Sequence, residues 1–110
     1  MAGVNQLDLT ASLLQRDALR YSPAGVAICQ TLVEHESTQP EMGSSRVVHL
    51  VMSARFSGAM AEQIVAEPLG SRLQIRGFLC PRRMFKDGKP SGALQLHVTQ
   101  FRREPDQPDT

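Results

Sequence analysis

The chain has 110 residues, 41% of them hydrophobic, and a formal net charge of +1 at neutral pH. This length and composition predict one folded domain with a single small core. The near-neutral total hides a segregation of charge, because residues 68–103 carry eight basic side chains and one acidic side chain, Asp87. A basic segment of this kind is typical of proteins that bind a polyanion.

The cysteine count and the hydropathy exclude several other classes of protein. Cys29 and Cys80 are too few and too far apart for a disulfide framework or a zinc site, so we expect two buried free thiols. No apolar run approaches the roughly 18 residues of a membrane span, and no basic-then-apolar leader opens the sequence. We therefore expect a cytoplasmic protein.

Alternation of apolar and polar side chains, which is typical of half-buried strands, dominates the sequence. It predicts five strands, at residues 5–15, 26–37, 46–56, 72–80 and 93–101. Residues 59–65 interrupt the alternation and favour a short helix, which Pro68 stops. Residues 38–45, "TQPEMGSS", are predicted to form a loop, because Pro40 and Gly43 break regular structure.

The order of these elements indicates the architecture. Five strands with a short helix after the third match the OB-fold, a partly open barrel. Alternation by itself also fits a five-stranded sandwich or a small SH3-like barrel, but the helix between strands three and four favours the OB-fold. We predict an all-β OB-fold domain over residues 1–103, followed by a flexible polar tail at residues 104–110.

Two loops of the predicted barrel carry basic residues where OB-folds contact oligonucleotides. In "RYSPAG", residues 20–25, Pro23 fixes one backbone angle and Gly25 permits a positive φ, so the chain can turn tightly. "RRMFKDGK", residues 82–89, has four cations and one acidic residue. Cations can neutralise phosphates without reading bases, although such a loop can also serve solubility alone.

The sequence resembles a known family at this point. "LRYSPAGVAICQTLVEHES", followed by "SG", "GSRLQIRGF" and "LHVTQF", resembles the primosomal replication protein N (PriB) family over residues 5–101. It is similar, more distantly, to bacterial single-stranded DNA-binding protein. The order and spacing of these segments carry the resemblance, rather than any one motif.

The resemblance implies an OB-fold homodimer that binds single-stranded DNA and assists the restart of stalled replication forks. It implies that the protein stabilises the PriA helicase on DNA, stimulates its unwinding and, in some bacteria, passes the assembly to DnaT. Basic positions of the family match Arg20 and, allowing for a short insertion, Arg83 and Lys86. The predicted DNA-binding residues are Arg20, Arg46, His49, Arg82, Arg83, Phe85, Lys86 and Lys89.

The sequence departs from the family pattern at aromatic and basic positions of the binding face. His49 lies where better-known members have a tryptophan, Ser44 where they have an aromatic residue, and Glu36 where they have a basic one. Because base stacking contributes about 1–3 kcal/mol per base, we expect weak, salt-sensitive binding. Phe85 in the basic loop, or Phe78 on the outward face of strand four, could supply a stacking ring, although each could equally cover the core.

Other functions fit the same residues. A protein–protein adaptor for the helicase would need little DNA affinity, and the missing tryptophan and Glu36 favour it. An RNA-binding OB domain is a third interpretation, because stacking and phosphate contacts do not choose the sugar. An enzymatic function is the weakest interpretation, since the sequence contains no recognisable catalytic arrangement, metal site or cofactor motif. An edge such as strand one could pair with its own copy to form the dimer.

Overall fold

The structure, a computed structural model, describes residues 2–82 and 93–104. Its elements are β1 (Leu7–Arg16), β2 (Arg20–Tyr21), β3 (Ala27–Glu41), β4 (Ser44–Ser57), α1 (Ala59–Ile64), β5 (Arg72–Pro81) and β6 (Leu94–Arg103). The strands form one sheet in the order β1-β5-β6-β4-β3-β2, and a further pairing of β1 with β3 closes it into a barrel. The five long strands and the helix between β4 and β5 confirm the predicted OB-fold.

The core fills the barrel with alternate side chains of the five long strands. Phe56 is fully buried, and its ring meets that of Phe101 edge-on at 5.1 Å between centroids. The helix α1 adds Ala61 and Ile64, both fully buried, so it covers one end of the barrel. The remaining core side chains are those of Ala11, Leu13, Ala27, Cys29, Val33, Ala54, Leu73, Ile75, Leu96 and Val98.

The prediction of a loop at residues 38–45 is wrong, because β3 and β4 form a long regular hairpin there. Their pairing continues without a break to Glu41 and Ser44, and the turn between them is Met42-Gly43. Both turn residues have positive φ, 51° and 80°, as a two-residue hairpin turn requires. Pro40 is tolerated because β1 pairs with β3 only as far as Glu34, so Pro40 lies in a strand that is paired on one side.

A bulge in β6 brings β5 and β6 unusually close together. The register between them shifts after Arg76, so that Gly77 pairs with Val98 and Thr99 is the additional residue. A Cβ atom on Gly77 would lie 2.1 Å from the carbonyl oxygen of His97, so only glycine fits. The next residue along β5, Phe78, is consequently opposite His97 on the outer surface.

Two burial predictions need correction. Cys29 is fully buried, as predicted, whereas Cys80 is only partly buried, since it lies on the outward side of β5. The alternation of Leu94, Leu96 and Val98 in the last predicted strand predicts that all three are buried, but Leu94 is 49% exposed because β6 begins there, at the mouth of the barrel. No helix among the described residues is long and apolar enough to cross a membrane.

Candidate nucleic-acid interface

The outer side of the β3–β4 hairpin is the surface that OB-folds present to oligonucleotides. Strict alternation along both strands, with no bulge between them, decides which side chains it carries. We call this surface the outer face; it consists of Gln30, Leu32, Glu34, Glu36 and Thr38 from β3, and Val47, His49, Val51, Ser53 and Arg55 from β4.

His49 lies on the outer face, as predicted, but it is held by acidic neighbours. Its Nε2 atom lies 2.7 Å from Oε2 of Glu34, and Glu36 is its direct partner across the strands. The hydrogen bond with Glu34 raises the pKa of His49 above the ordinary histidine value, and the charge of Glu36 adds to the effect. The two carboxylates offset the charge of the imidazolium, so this part of the face is a poor site for phosphate.

Arg46 does not join His49, because the two side chains leave β4 on opposite sides. Arg46 shares the side of Val48 and Leu50, by alternation. Its Nε donates a hydrogen bond of 2.7 Å to Oε1 of Glu41 across the hairpin. The structure therefore separates these two predicted DNA-binding residues.

Arg20 lies at the rim of the barrel, where the predicted tight turn is present. Arg20 pairs with Ile28 in the short β2–β3 ladder and is exposed. The amide of Gly25 donates to the Ser22 carbonyl at 2.8 Å, and φ of Gly25 is 85°. The Ser22 hydroxyl accepts a bond of 3.1 Å from the Val26 amide, so a side chain and the backbone together fix this turn.

Arg82 is the only residue of the second basic loop within the described ranges. It lines a groove of about 210 Å³ together with Asp17, Gln30 and Ser53, next to the base of the first loop. The predicted site residues Arg83, Phe85, Lys86 and Lys89 lie outside the described residues.

Most of the described arginines are occupied by partners within the protein. Arg46, Arg72, Arg76 and Arg103 each form an ion pair with a carboxylate. Arg16 donates to the backbone carbonyls of Ile64, the last residue of α1, and of Glu67, and Arg102 donates to Gln74 at 2.8 Å. The remaining three arginines of ranges 2–82 and 93–104 form neither an ion pair nor a side-chain hydrogen bond within those ranges: Arg20, Arg55 and Arg82.

Arg55 was not among the predicted site residues, although a signal for it was present. Alternation places it on the same side of β4 as His49, and it is the one cation among the outer-face residues of that strand. Its neighbour in β6 is His97, which faces Phe78 of β5. Partial burial, and secondarily the charge of Arg55, lowers the pKa of His97 below the ordinary histidine value. The neutral form of this imidazole is therefore favoured at pH 7.

The described residues contain no group of three or more His, Cys, Asp or Glu side chains that could hold a metal ion. Arg55 on the outer face, with Arg20 and Arg82 at its rim, instead offers three guanidinium groups that pair with no described carboxylate, and the rings of His97 and Phe78 follow Arg55 across the sheet. Such groups can bind phosphate and stack bases without a preference for sequence.

Comparison with known proteins agrees with this geometry. Residues 5–100 match the model of a family described as "another single-strand binding protein family". The Replication restart protein PriB of Bordetella pertussis is 39% identical over 100 residues, which cover 91% of this chain and 89% of that protein. PriB of Nitrosomonas europaea is 31% identical over 98 residues, 89% of this chain and 86% of that protein.

Solved structures show the same fold. PriB of Ralstonia solanacearum superposes with a TM-score of 0.79 at 31% identity, covering 92% of this chain and 98% of that one. A deletion mutant of the single-stranded DNA binding protein of Thermus aquaticus gives a TM-score of 0.76 at 25% identity, covering 96% of this chain and 52% of that one. The chain therefore belongs to the single-strand binding protein family, and within it to the replication restart proteins named PriB.

Proposed function

We propose that this protein is a non-enzymatic, single-stranded DNA-binding accessory factor of primosome assembly in the restart of stalled replication forks. It acts in the cytoplasm, stabilises the PriA helicase on forked DNA and stimulates its unwinding; where DnaT is present, it passes the assembly on. The observation that carries the DNA-binding role is the set of three arginines, around the rim and the outer face, that pair with no carboxylate of the described residues. The similarity to relatives named replication restart proteins supports the proposed role in replication restart.

The DNA-binding residues of this proposal lie around the two loops. Arg20 and Arg82 flank the outer face, and both are exposed and without a carboxylate partner among the described residues. Arg83, Phe85, Lys86 and Lys89 extend the same loop by sequence. Free cations contribute a salt-dependent, sequence-independent affinity, which suits a factor that acts at any stalled fork.

We also propose a homodimer formed through β1, with residues 1–103 as the folded unit and residues 104–110 as a flexible tail. β1 pairs with β5 over residues 7–12 and with β3 only from Ser12 onward. One edge of residues 7–11 therefore faces no strand of the described chain, and it could pair with a second copy across a two-fold axis. Light scattering at micromolar concentration should give twice the 12.1 kDa of the chain; a monomer would contradict the dimer.

The second candidate function is a helicase adaptor with little DNA affinity. The Glu34–His49 pair favours it, because this pair and Glu36 make part of the expected binding face acidic. In this case unwinding by the helicase would be stimulated although the protein alone binds no DNA.

Fluorescence anisotropy of a labelled oligothymidine across a salt series tests the first proposal. Wild type should bind, and the affinity should fall steeply with salt. Arg83→Ala and Lys86→Ala should each weaken binding and reduce the slope of log K against log salt by about 0.7, the value for one phosphate contact on a single strand. Arg102→Ala, whose guanidinium is bound to Gln74 on β5, is the matched control and should leave both quantities unchanged.

An unwinding assay with the PriA helicase on forked DNA separates the two candidates. If the loop variants lose both DNA binding and stimulation, DNA binding is part of the function. If wild type binds no oligonucleotide even at low salt and still stimulates the helicase, the adaptor is correct. If it does neither, both proposals fail.

A further inference from the structure

A row of side chains crosses the outer surface of the barrel at right angles to the hairpin. Gln30 of β3 pairs with Arg55 of β4, Arg55 pairs with His97 of β6, and His97 pairs with Phe78 of β5. We call these four residues the transverse row. With neighbouring strands about 4.8 Å apart, the row is about 14 Å long.

The unpaired cations of the described chain converge on one end of this row. Arg55 belongs to the row, and Arg82 lines the same groove as Gln30. Arg20 pairs with Ile28, which lies two residues before Gln30 in β3. Arg20, Arg55 and Arg82, which pair with no carboxylate of the described residues, therefore lie next to Gln30 along the chain pairing or in its groove, and together they outnumber Asp17, the carboxylate that lines this groove. A phosphate backbone requires such a surplus of positive charge.

The other end of the row carries aromatic surface. The rings of Phe78 and His97 lie 5.2 Å apart between centroids, with an angle of 39° between their planes. Phe78 is 38% exposed, so part of its ring is accessible to a ligand. Because the neutral form of His97 is favoured at pH 7, the pair offers an uncharged aromatic platform, and any base can stack on such a platform.

The outer face has the opposite character towards the hairpin turn. Glu34 and Glu36 flank His49 there, and Arg46 on the reverse side is bound to Glu41. A DNA strand that followed the hairpin along the outer face would approach the two carboxylates of Glu34 and Glu36 and no unpaired guanidinium of the described chain. A strand that crossed the barrel would meet cations first and an aromatic pair next.

We infer that single-stranded DNA crosses the barrel along the transverse row, with a phosphate bound by Arg55 and a base stacked on Phe78, and does not run along the hairpin past His49. This inference rests on the proposed DNA-binding function and specifies its path. The stacking position is therefore Phe78 on β5. It is not the position on β4 where this chain has His49 in place of the family's tryptophan. The acidic end of the outer face remains free for a protein partner.

The absence of tryptophan from the sequence permits a direct test. Phe78→Trp places a single fluorophore at the proposed stacking position, and Val47→Trp places one at the hairpin end of the outer face, where Val47 is 70% exposed. Titration with oligothymidine at low salt should quench the emission of Phe78→Trp, because a base stacks on the indole. Emission of Val47→Trp should remain unchanged at the same saturation, which anisotropy of the labelled oligonucleotide measures.

Substitutions at the row provide the second measurement. Phe78→Leu should weaken binding about fivefold or more, as expected for the loss of one stacked base. Arg55→Gln should also weaken it and reduce the salt slope by about 0.7, whereas Arg102→Gln, the same change in β6 outside the row, should not. Circular dichroism and thermal melting confirm that each variant is folded.

The outcomes separate this inference from the proposed function. If wild type binds DNA but only Val47→Trp is quenched, or if Phe78→Leu and Arg55→Gln bind as wild type does, the transverse path is wrong and DNA binding stands. If wild type binds no DNA at low salt, both are wrong. Quenching of Phe78→Trp together with the two losses of affinity would establish the path.

Discussion

The two ends of the outer face have the same secondary structure but carry opposite charge: one is basic and the other is acidic. The basic end, around Gln30 and the transverse row, has three arginines that no described carboxylate neutralises. The acidic end, around His49, has its imidazole bound by Glu34 and its nearby arginine bound by Glu41. In both regions the hairpin is regular and alternation is strict, so the difference arises from pairing between side chains.

This comparison shows that a count of basic residues is a poor guide to a phosphate site. Arg46 and His49 are cationic or nearly so, yet their charge is used within the protein. A guanidinium that already shares its charge with a carboxylate gains little from a phosphate, because the existing ion pair must be broken first. Unpaired cations identify the site better.

The largest expected effect comes from Gly77→Ala, which should disrupt the aromatic end of the transverse row through its backbone. The added Cβ would lie 2.1 Å from the carbonyl oxygen of His97, so β5 and β6 would have to separate where Phe78 and His97 meet. We expect a loss of about 3 kcal/mol in the free energy of unfolding, measured by urea denaturation. DNA affinity under native conditions should fall as well.

Gly3→Ala is the matched control for this substitution. No atom lies within 4 Å of a Cβ on Gly3, and the change in chemistry is identical. Its free energy of unfolding should stay within about 0.5 kcal/mol of wild type. Equal stability of the Gly77→Ala variant and wild type would show that β6 can adjust its bulge, and the close approach would then have no structural consequence.

The next effect should come from removing unpaired arginines and ion-paired arginines two at a time. Arg20→Ala combined with Arg82→Ala removes two unpaired guanidinium groups, and Arg46→Ala combined with Arg103→Ala removes two that are ion-paired. In anisotropy at low salt we expect about a tenfold loss of DNA affinity for the first pair and less than twofold for the second. The salt slope should decrease by about 1.4 in the first pair only.

A comparable loss in both pairs would mean that net charge alone decides binding. The distinction between paired and unpaired arginines would then have no functional meaning. The design keeps the change in net charge equal, so only the location of the lost charge differs.

Sequence reasoning predicted the strands because alternation directly reports which side of a strand is buried. It predicted β1, β4 and β5 to within about two residues, and it placed α1 correctly. It failed at residues 38–45, because Pro40 and Gly43 usually interrupt structure, and only the pairing partner shows that they are compatible with a hairpin here. The bulge at Gly77 was missed for the same reason, since it depends on contact with another strand.

The candidate site was less predictable than the fold. Alternation predicts that His49 and Arg55 share a face, and it equally predicts that Arg46 leaves on the other side. It cannot predict the ion pairs, because Glu41 and Glu34 reach their partners diagonally across the hairpin. The row formed with His97 and Phe78 depends on the parallel pairing of β4 with β6, which connects residues about 40 positions apart.

A smaller effect, of opposite sign, is expected from Glu36→Lys. The substitution reverses one charge of the acidic end opposite His49, on an exposed position that contributes little to stability. DNA affinity should increase about fivefold at low salt, with a steeper salt slope, because the reversed charge allows a strand that leaves the transverse row to gain a phosphate contact at the former acidic end. Glu62→Lys, on the exposed side of α1, makes the same change in net charge and should have a smaller effect. Equal gains would indicate long-range attraction only.

The smallest effect is a difference in titration between the two histidines of the outer surface. Glu34 raises the pKa of His49, so its protonated form stabilises the folded state below the ordinary value of 6.5, and that contribution is lost as pH rises through the raised pKa. Burial and Arg55 lower the pKa of His97, so stability from its neutral form is present above 6.5 and is lost as pH falls below it. Imidazole resonances followed by NMR should therefore titrate on opposite sides of 6.5. Glu34→Gln should bring the pKa of His49 back towards 6.5 and leave the pKa of His97 unchanged. If the pKa values of both histidines change, the two ends are electrostatically coupled and the comparison between them no longer holds.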